Sequence, residues 1–412
     1  VSAPAAASEA GAGAAPPGTR LESLDVFRGA TVALMILVNN PGSWSHLYGP
    51  LAHAPWHGWT PTDLVFPFFL FAVGNALALV LPRLRQQGSA AFWRKVLQRT
   101  LIIFTIGLAL NAAPFVRWDA TGQLASIDMA TLRIMGVLQR IALCFGFAAV
   151  IVWFFGRRGA LVGSALLLVG YWAACVAFGQ PGDVYGIEGW FGTAIDRALL
   201  GPAHLYRGEG VPFDPEGLMS TVPAIAQVLL GWWVGETLRL HGRPNRRLVL
   251  RLALTALPLL LAALAWQTVM PINKKIWTSS YVLLSTALAI AVLALLVLLI
   301  EVRGGGRADR RGFGRVGAAA TRVFSAFGRN ALFVFVLSGL VPRFLALIRW
   351  PDDHAPWTSP LPWLHAHVFA PLARALGSDD PRLGSLLYAL AMVAAYGLVA
   401  VWMDRRRIYV RV

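Results

Sequence analysis

Between Asn39 and Asn75, two long apolar runs flank a short polar loop carrying three of the eight histidines: His46, His53 and His57. Imidazole is the side chain best suited to moving a proton near neutral pH. His53 and His57 stand four apart, a spacing that holds a metal on a helix. Ala54-Pro55-Trp56 breaks any helix between them and no third ligand is evident, so no metal is expected. Behind the loop, Thr60-Pro61-Thr62-Asp63 reads as a helix start, with Thr60 as N-cap, Pro61 first in the helix and Asp63 as the capping-box acid. The helix then meets no charge until Arg83. His53 is therefore expected on a loop at a membrane surface, beside the positive end of a helix. That setting suits chemistry on an acyl carbonyl. Asn39 closes the preceding apolar run on the same side. Its carboxamide can donate to an oxyanion or, more plainly, cap the helix.

The elements that must position these groups are apolar helices. Of 412 residues 57% are hydrophobic and 14% charged, with a mean hydropathy of +0.60. This composition predicts an all-α polytopic membrane protein and excludes a soluble enzyme. At about 20 residues per span there is room for about ten transmembrane helices in one bundle. They fall near 24–40, 62–82, 97–113, 132–155, 160–179, 219–238, 249–270, 278–301, 324–348 and 383–403, with 360–376 as a short re-entrant piece. Residues 1–19 read as a disordered tail and 20–412 as one transmembrane domain. The net charge of +16 lies in short clusters between apolar runs, which points to a bilayer partner and not to nucleic acid.

Those clusters recur in alternate loops, at 83–99, 157–158, 239–251, 303–322 and 405–407. By the positive-inside rule these loops and both termini are cytoplasmic, which puts His53 outside. Lys274 and Lys275 break the pattern, so something other than insertion must keep them. The stretch 304–318 reads as a flexible basic connector. It lacks the strand, helix and Gly-Lys-Ser/Thr ending of a phosphate loop. Cys144 and Cys175 lie within apolar runs and read as inert thiols.

Other charged residues sit where charge is costly. Asp25 and Arg28 share a face at the inner edge of the first span and suit structural pairing. Arg133 and Gln139-Arg140 polarise the fourth span, the arginines facing the bundle interior. Asp214 with Pro215 marks another helix start, and Asp214 and Glu216 are also suited to a cationic amine.

The runs RLESLDVFRG, LMILVNN, HAPWHGWTPTDLVFPFFLF, LRIMGVLQR, IDRALLGPAHLY, FDPEGLMST, PINKKIWTSSYV and FGRNALFVF, in this order, resemble the heparan-alpha-glucosaminide N-acetyltransferase family. Lysosomal members have in addition an N-terminal luminal domain and one more span. The resemblance implies acetyl transfer from cytoplasmic acetyl-CoA to the amine of a terminal glucosamine across the membrane. It implies His53 and Asn39 as catalytic residues. Trp56, Asp63, Asp214, Glu216, Lys274 and Asn330 are expected to bind substrate, and Arg133, Gln139 and Arg140 the acyl-CoA. Two departures bear on the acceptor: His57 replaces an asparagine of the histidine run, and Ser338 replaces a histidine of the lysosomal enzyme. The expected setting is a bacterial inner membrane, and the reading admits a homodimer. An amino-sugar or N-acetylglucosamine permease is the alternative, though no internal repeat is visible. A non-catalytic membrane scaffold is the second.

Overall fold

The computed structural model describes residues 21–119, 121–303, 314–352 and 355–410, so the expected tail and most of the expected connector lie outside the described residues. In chain order come α1 (Glu22–Asn39), α2 (Val65–Gln87), α3 (Ser89–Ala112), the antiparallel hairpin β1 (Val116–Trp118) and β2 (Leu124–Ser126), and α4 (Val137–Phe178). Then follow α5 (Phe191–Leu200), α6 (Leu218–His241), α7 (Arg246–Trp266), α8 (Ser279–Leu296), α9 (Gly314–Arg329) and α10 (Ala331–Leu345). A second hairpin, β3 (Trp350–Asp352) and β4 (Ala355–Thr358), precedes α11 (Pro360–Leu364), α12 (Ala370–Ala375) and α13 (Pro381–Arg405). The chain is an all-α polytopic membrane protein.

The expected count of about ten spans is not confirmed. Among the described residues seven helices are long and apolar enough to cross a membrane, or eight if the bent pair α9–α10 is one span. Two particulars explain the difference. Helix α1 holds Glu22, Asp25 and Arg28 in its first two turns and is not among the seven. Helix α4 counts once although its 42 residues would be about 63 Å long if straight, twice a hydrocarbon core of about 30 Å. It breaks at Gly156, whose left-handed φ of 55° only glycine adopts at little cost. The break frees carbonyls, and Arg85 Nη2 donates to those of Val152 and Trp153 at 3.0 and 3.2 Å. The second half of α4 then returns: Gly163 faces Leu229, and Ser279 donates to the Leu168 carbonyl.

Two further expectations are corrected. Residues 324–348 are not one straight span, because α9 and α10 meet at Asn330 at 82°. The stretch 304–318 is not all connector, since α9 starts at Gly314.

Helices α2 and α6 form the axis that places the site. They run parallel in close approach. A Cβ on Gly74 would lie 2.1 Å from the Val228 carbonyl oxygen, and one on Gly231 2.3 Å from that of Phe71. Small residues at such crossings are how helices pack in lipid, where burial against lipid tails gives no gain. Parallel packing brings both helix N-termini to one end of the bundle. Helix α1 ends there too, since Gly42 and Ser43 bond Ser385 near the start of α13. This is the His53 end; the basic segments that follow α2 and α6 lie at the other.

Candidate functional site

The loop carrying His53 is held from two sides. Gly58 N–H donates to the Ile272 carbonyl at 2.8 Å, and Trp56 Nε1 donates to the Tyr185 carbonyl at 2.9 Å. Lys275 Nζ donates to the Pro55 carbonyl at 2.7 Å and pairs with Glu209 at 2.5 Å. Trp56, expected to bind substrate, thus ties two loops together.

Asp63 is 2% exposed and lies at the start of the single-turn helix that leads into α2. Its Oδ2 accepts from Ala54 N at 3.0 Å, Thr60 N at 3.0 Å and Thr60 Oγ1 at 3.2 Å. Its Oδ1 lies 2.7 Å from His53 Nδ1. With the proton on Nδ1, His53 donates to Asp63 and keeps its Nε2 lone pair. The side chain of His53 is 44% exposed, so that nitrogen is open to a reactant. Lys274 Nζ completes the group, 3.3 Å from Asp63 Oδ1 and 3.1 Å from His53 Nδ1.

The lysines that broke the charge pattern are therefore anchors, one at the reactive pair and one at its loop. The loop carrying them is tightly built. Asn273 Oδ1 accepts from Lys275 N and Ile276 N, and the buried Trp277 holds a left-handed φ of 53°. Such a backbone costs about 1–3 kcal/mol and persists where surrounding packing enforces it. Phe66 and Tyr281 pack edge-on to this indole, and the Arg140 guanidinium lies 4.8 Å from its ring centre.

A second set of charges adjoins the first. Arg133 grips Asp214 with Nε at 2.8 Å and Nη2 at 2.6 Å, and Nη2 also reaches Glu216 at 2.6 Å. Burial pushes the Glu216 carboxyl up, but Arg133, Arg140 and Lys274 outweigh it and hold the group below its usual range. Burial pushes the Lys274 ammonium down, with Asp63 and Glu216 opposing only in part. Arg140 is wholly buried in α4 and donates to the Pro215 carbonyl and Ser220 Oγ. Three carboxylates (Asp63, Asp214, Glu216) thus balance three cations (Arg133, Arg140, Lys274). All three acids precede or open the parallel helices α2 and α6, where the helix dipoles favour negative charge.

The remaining expected residues fall elsewhere. Asn39 is exposed, and the C-cap role belongs to its neighbour: Asn40 N and Nδ2 both donate to the Ile36 carbonyl, at 3.1 and 3.0 Å. Asn39 lines a cavity of about 510 Å³ together with Trp44, Asn111, Arg133 and Gln139. Arg133 lines this cavity and also bonds Asp214 and Glu216, so the cavity adjoins the charged cluster. Asn330 does not join the site. It lies at the far end, its Nδ2 donating to the Ile408 carbonyl and its Oδ1 accepting from Val410 N.

The residues expected to hold acyl-CoA are also displaced. Arg133 and Arg140 serve the acid cluster, and Gln139 lies where a Cβ on Gly107 would come within 2.4 Å of its Oε1. A basic cavity does exist at the far end, formed by residues of the 83–99 basic cluster and their neighbours. It measures about 440 Å³ and is lined by Arg28, Lys95, Arg99 and Arg329 among others. A neighbouring recess of about 730 Å³ adds Arg83 and Arg94. The 440 and 510 Å³ cavities follow the same helices α1, α3, α4 and α10, and about one turn separates Ile103 from Gly107 on α3.

The family model for the heparan-alpha-glucosaminide N-acetyltransferase catalytic region matches residues 20–265. The chain belongs to this family. The match takes in His53, Asp63, Arg133, Arg140, Asp214 and Glu216 and stops short of Lys274. Among curated relatives, the human heparan-alpha-glucosaminide N-acetyltransferase is 28% identical over 343 residues, 71% of this chain and 50% of its own. The mouse protein of that name is 28% identical over 337 residues, 69% of this chain and 50% of its own. The chain thus spans about half the length of the curated relatives it matches.

Proposed function

We propose that this chain is a transmembrane N-acetyltransferase that moves an acetyl group from cytoplasmic acetyl-CoA to the amine of a glucosamine-type sugar outside a bacterial inner membrane. The observation that carries the reading is the His53–Asp63 contact of 2.7 Å, with Lys274 on the same carboxylate oxygen. A carboxylate fixing one imidazole nitrogen while the other stays open is the arrangement of a general base or an activated nucleophile. In direct transfer Nε2 takes a proton as the amine bonds to the acetyl carbonyl, and the thiolate of CoA leaves. In a two-step route Nε2 attacks the thioester first and the CoA thiolate leaves; the amine then takes the acetyl group from Nε2, which receives the amine's proton. Asp63 stabilises the imidazolium or the acetylimidazolium alike. Asn39 supplies the donor to the tetrahedral oxyanion.

Acetyl-CoA enters at the far end, where Arg28, Lys95 and Arg99 meet its phosphates. Its pantetheine arm follows α1, α3, α4 and α10 toward the second cavity. The orientation rests on the basic loops being cytoplasmic.

The test is radiolabelled acetyl-CoA added to the purified protein with a panel of amino sugars. Label in an N-acetyl sugar is expected. No transfer to any of them overturns the reading, and donor-free uptake of labelled glucosamine into proteoliposomes puts a permease in its place. Acid quenching without acceptor separates the routes, because only the two-step route leaves label on the protein.

A further inference from the structure

The cavity at the His53 end has an unusual hydrogen-bonding character. Asn111 Nδ2 donates to two backbone carbonyls, Arg133 at 2.9 Å and Met135 at 3.0 Å, so only its Oδ1 remains to be used. Asn40 Nδ2 is held by the Ile36 carbonyl, and Ser338 Oγ donates to Phe335 at 2.8 Å. Asn111 and Ser338 thus present acceptor oxygens, Asn40 keeps its Oδ1 and one N–H, and Asn39, Arg133 and Arg343 add donors to the same lining. A ligand that satisfies them must both donate and accept, as hydroxyl groups do.

Trp44 supplies the other half. It lines the same cavity and is 64% exposed, and among the described residues its indole N–H has no partner. Trp56 and Trp118, by contrast, each bond a backbone carbonyl and serve to tie segments together. The loop presenting Trp44 is nailed down. Gly42 and Ser43 bond Ser385, and a Cβ on Gly42 would lie 2.3 Å from His365 Cδ2. An exposed indole face beside these polar groups matches a pyranose, which has an apolar C–H face and a rim of hydroxyls. At about 510 Å³ the cavity is of small-molecule size.

We propose that this cavity seats the acceptor, its pyranose ring stacked on Trp44 and its hydroxyls donating to Asn111 Oδ1, Asn40 Oδ1 and Ser338 Oγ. The sugar holds the mouth, and the acyl end of the donor reaches the floor beside Gln139. Ser338 is then an acceptor-specificity position. The inference rests on the transferase reading for its choice of sugar.

The test is steady-state kinetics of the full chain with acetyl-CoA and glucosamine, together with equilibrium dialysis of labelled glucosamine without donor. Trp44→Ala should raise the glucosamine KM about 10-fold, the loss of one stacked ring face, with kcat changed far less. Its acetyl-CoA KM should stay at the wild-type value, and Trp44→Phe should recover most of the loss. A rise in the acetyl-CoA KM instead, or no change in either, overturns the proposal. Dialysis separates the two readings. Glucosamine binding that depends on Trp44 in a protein without transfer sinks the transferase and keeps the subsite. Normal transfer by Trp44→Ala does the reverse.

Discussion

The two ends of the bundle treat charge in opposite ways. At the His53 end cations meet acids in buried, short contacts: Arg133 with Asp214 and Glu216, Lys274 with Asp63, Lys275 with Glu209. At the far end some guanidinium groups are satisfied by backbone or hydroxyl oxygen. Arg85 reaches the carbonyls of Val152 and Trp153, and Arg157 the Thr237 hydroxyl. Ion pairs occur there too, Arg329 with Asp404 and Arg239 with Glu236, each at 2.6 Å. A paired, desolvated cluster is preorganised, so it can direct a proton without rearranging. Cations held by neutral oxygens keep their charge for a polyanionic ligand. On the proposed function, one end reacts and the other receives.

Breaking the reactive end should give the largest effects. His53→Ala should lower acetyl transfer roughly 10²–10⁴-fold, the range for loss of a positioned base. The half-exposed ring leaves little of the fold dependent on it, so stability should change by less than about 0.5 kcal/mol. Full activity in this variant, measured with labelled acetyl-CoA, would sink the mechanism. Asp63→Asn should fall within the same range, roughly 10²–10⁴-fold, if the carboxylate orients the ring and stabilises its cation. His53→Ala and Asp63→Asn together should lose little more than either alone, because they act as one unit.

Asn39→Ala should cost roughly 10²–10³-fold in kcat while acetyl-CoA binding holds, as removal of one oxyanion donor does. A variant with normal kcat would show that the exposed carboxamide takes no part in the chemistry.

How much of this was legible beforehand follows from the reach of each interaction. Spacing alone gave the helix start at Thr60–Asp63 and the imidazole loop, because capping is local. The contact between His53 and Asp63 spans ten residues and depends on how the loop folds back, which no periodicity encodes. Lys274 stood out only as a charge on the wrong side, and its partners lie more than 200 residues away. Arg99 looked like one more topology residue, yet its neighbours across α1 and α10 make it the lining of a cavity. The Arg157-Arg158 break marks the α4 turn-back as two spans, whereas the 82° bend is marked only by Gly328 and the N-cap Asn330 inside a largely apolar run.

The balance of the His53 end has one sharp probe. Asp196 lies in the short α5 and accepts from Met219 N at 3.2 Å at the start of α6. Burial pushes its carboxyl up to about 7, against a bond from Met219 that opposes the shift. In the unfolded chain it ionises near the ordinary value of about 4. Between those values the folded state binds more protons, so stability falls as pH rises from about 4 to about 7 and then levels off. The whole loss should amount to a few kcal/mol at most, since each tenfold difference in proton affinity is worth about 1.4 kcal/mol. Asp196→Asn should flatten a melting-temperature profile over that window. An unchanged profile would place the carboxylate charge comfortably within the cluster.

The smallest effect should come from the far end and is read in salt. If Arg28, Lys95 and Arg99 hold the phosphates of acetyl-CoA, their attraction is partly open to solvent and therefore screened. The screening length shrinks from about 10 Å at 0.1 M salt to about 3 Å at 1 M. The acetyl-CoA KM should rise severalfold across that range while the glucosamine KM stays level, since the acceptor is neutral or singly charged. Arg99 is the residue to change, because it lines the cavity, stacks 4.7 Å from the Phe145 ring centre and has no partner for its Nε among the described residues. Arg99→Gln should raise the acetyl-CoA KM by about 3- to 10-fold, equivalent to about 0.7–1.4 kcal/mol, and reduce its salt dependence. An acetyl-CoA KM indifferent to salt in both proteins would mean that apolar and backbone contacts hold the donor. The contrast between the two ends would then reduce to membrane topology.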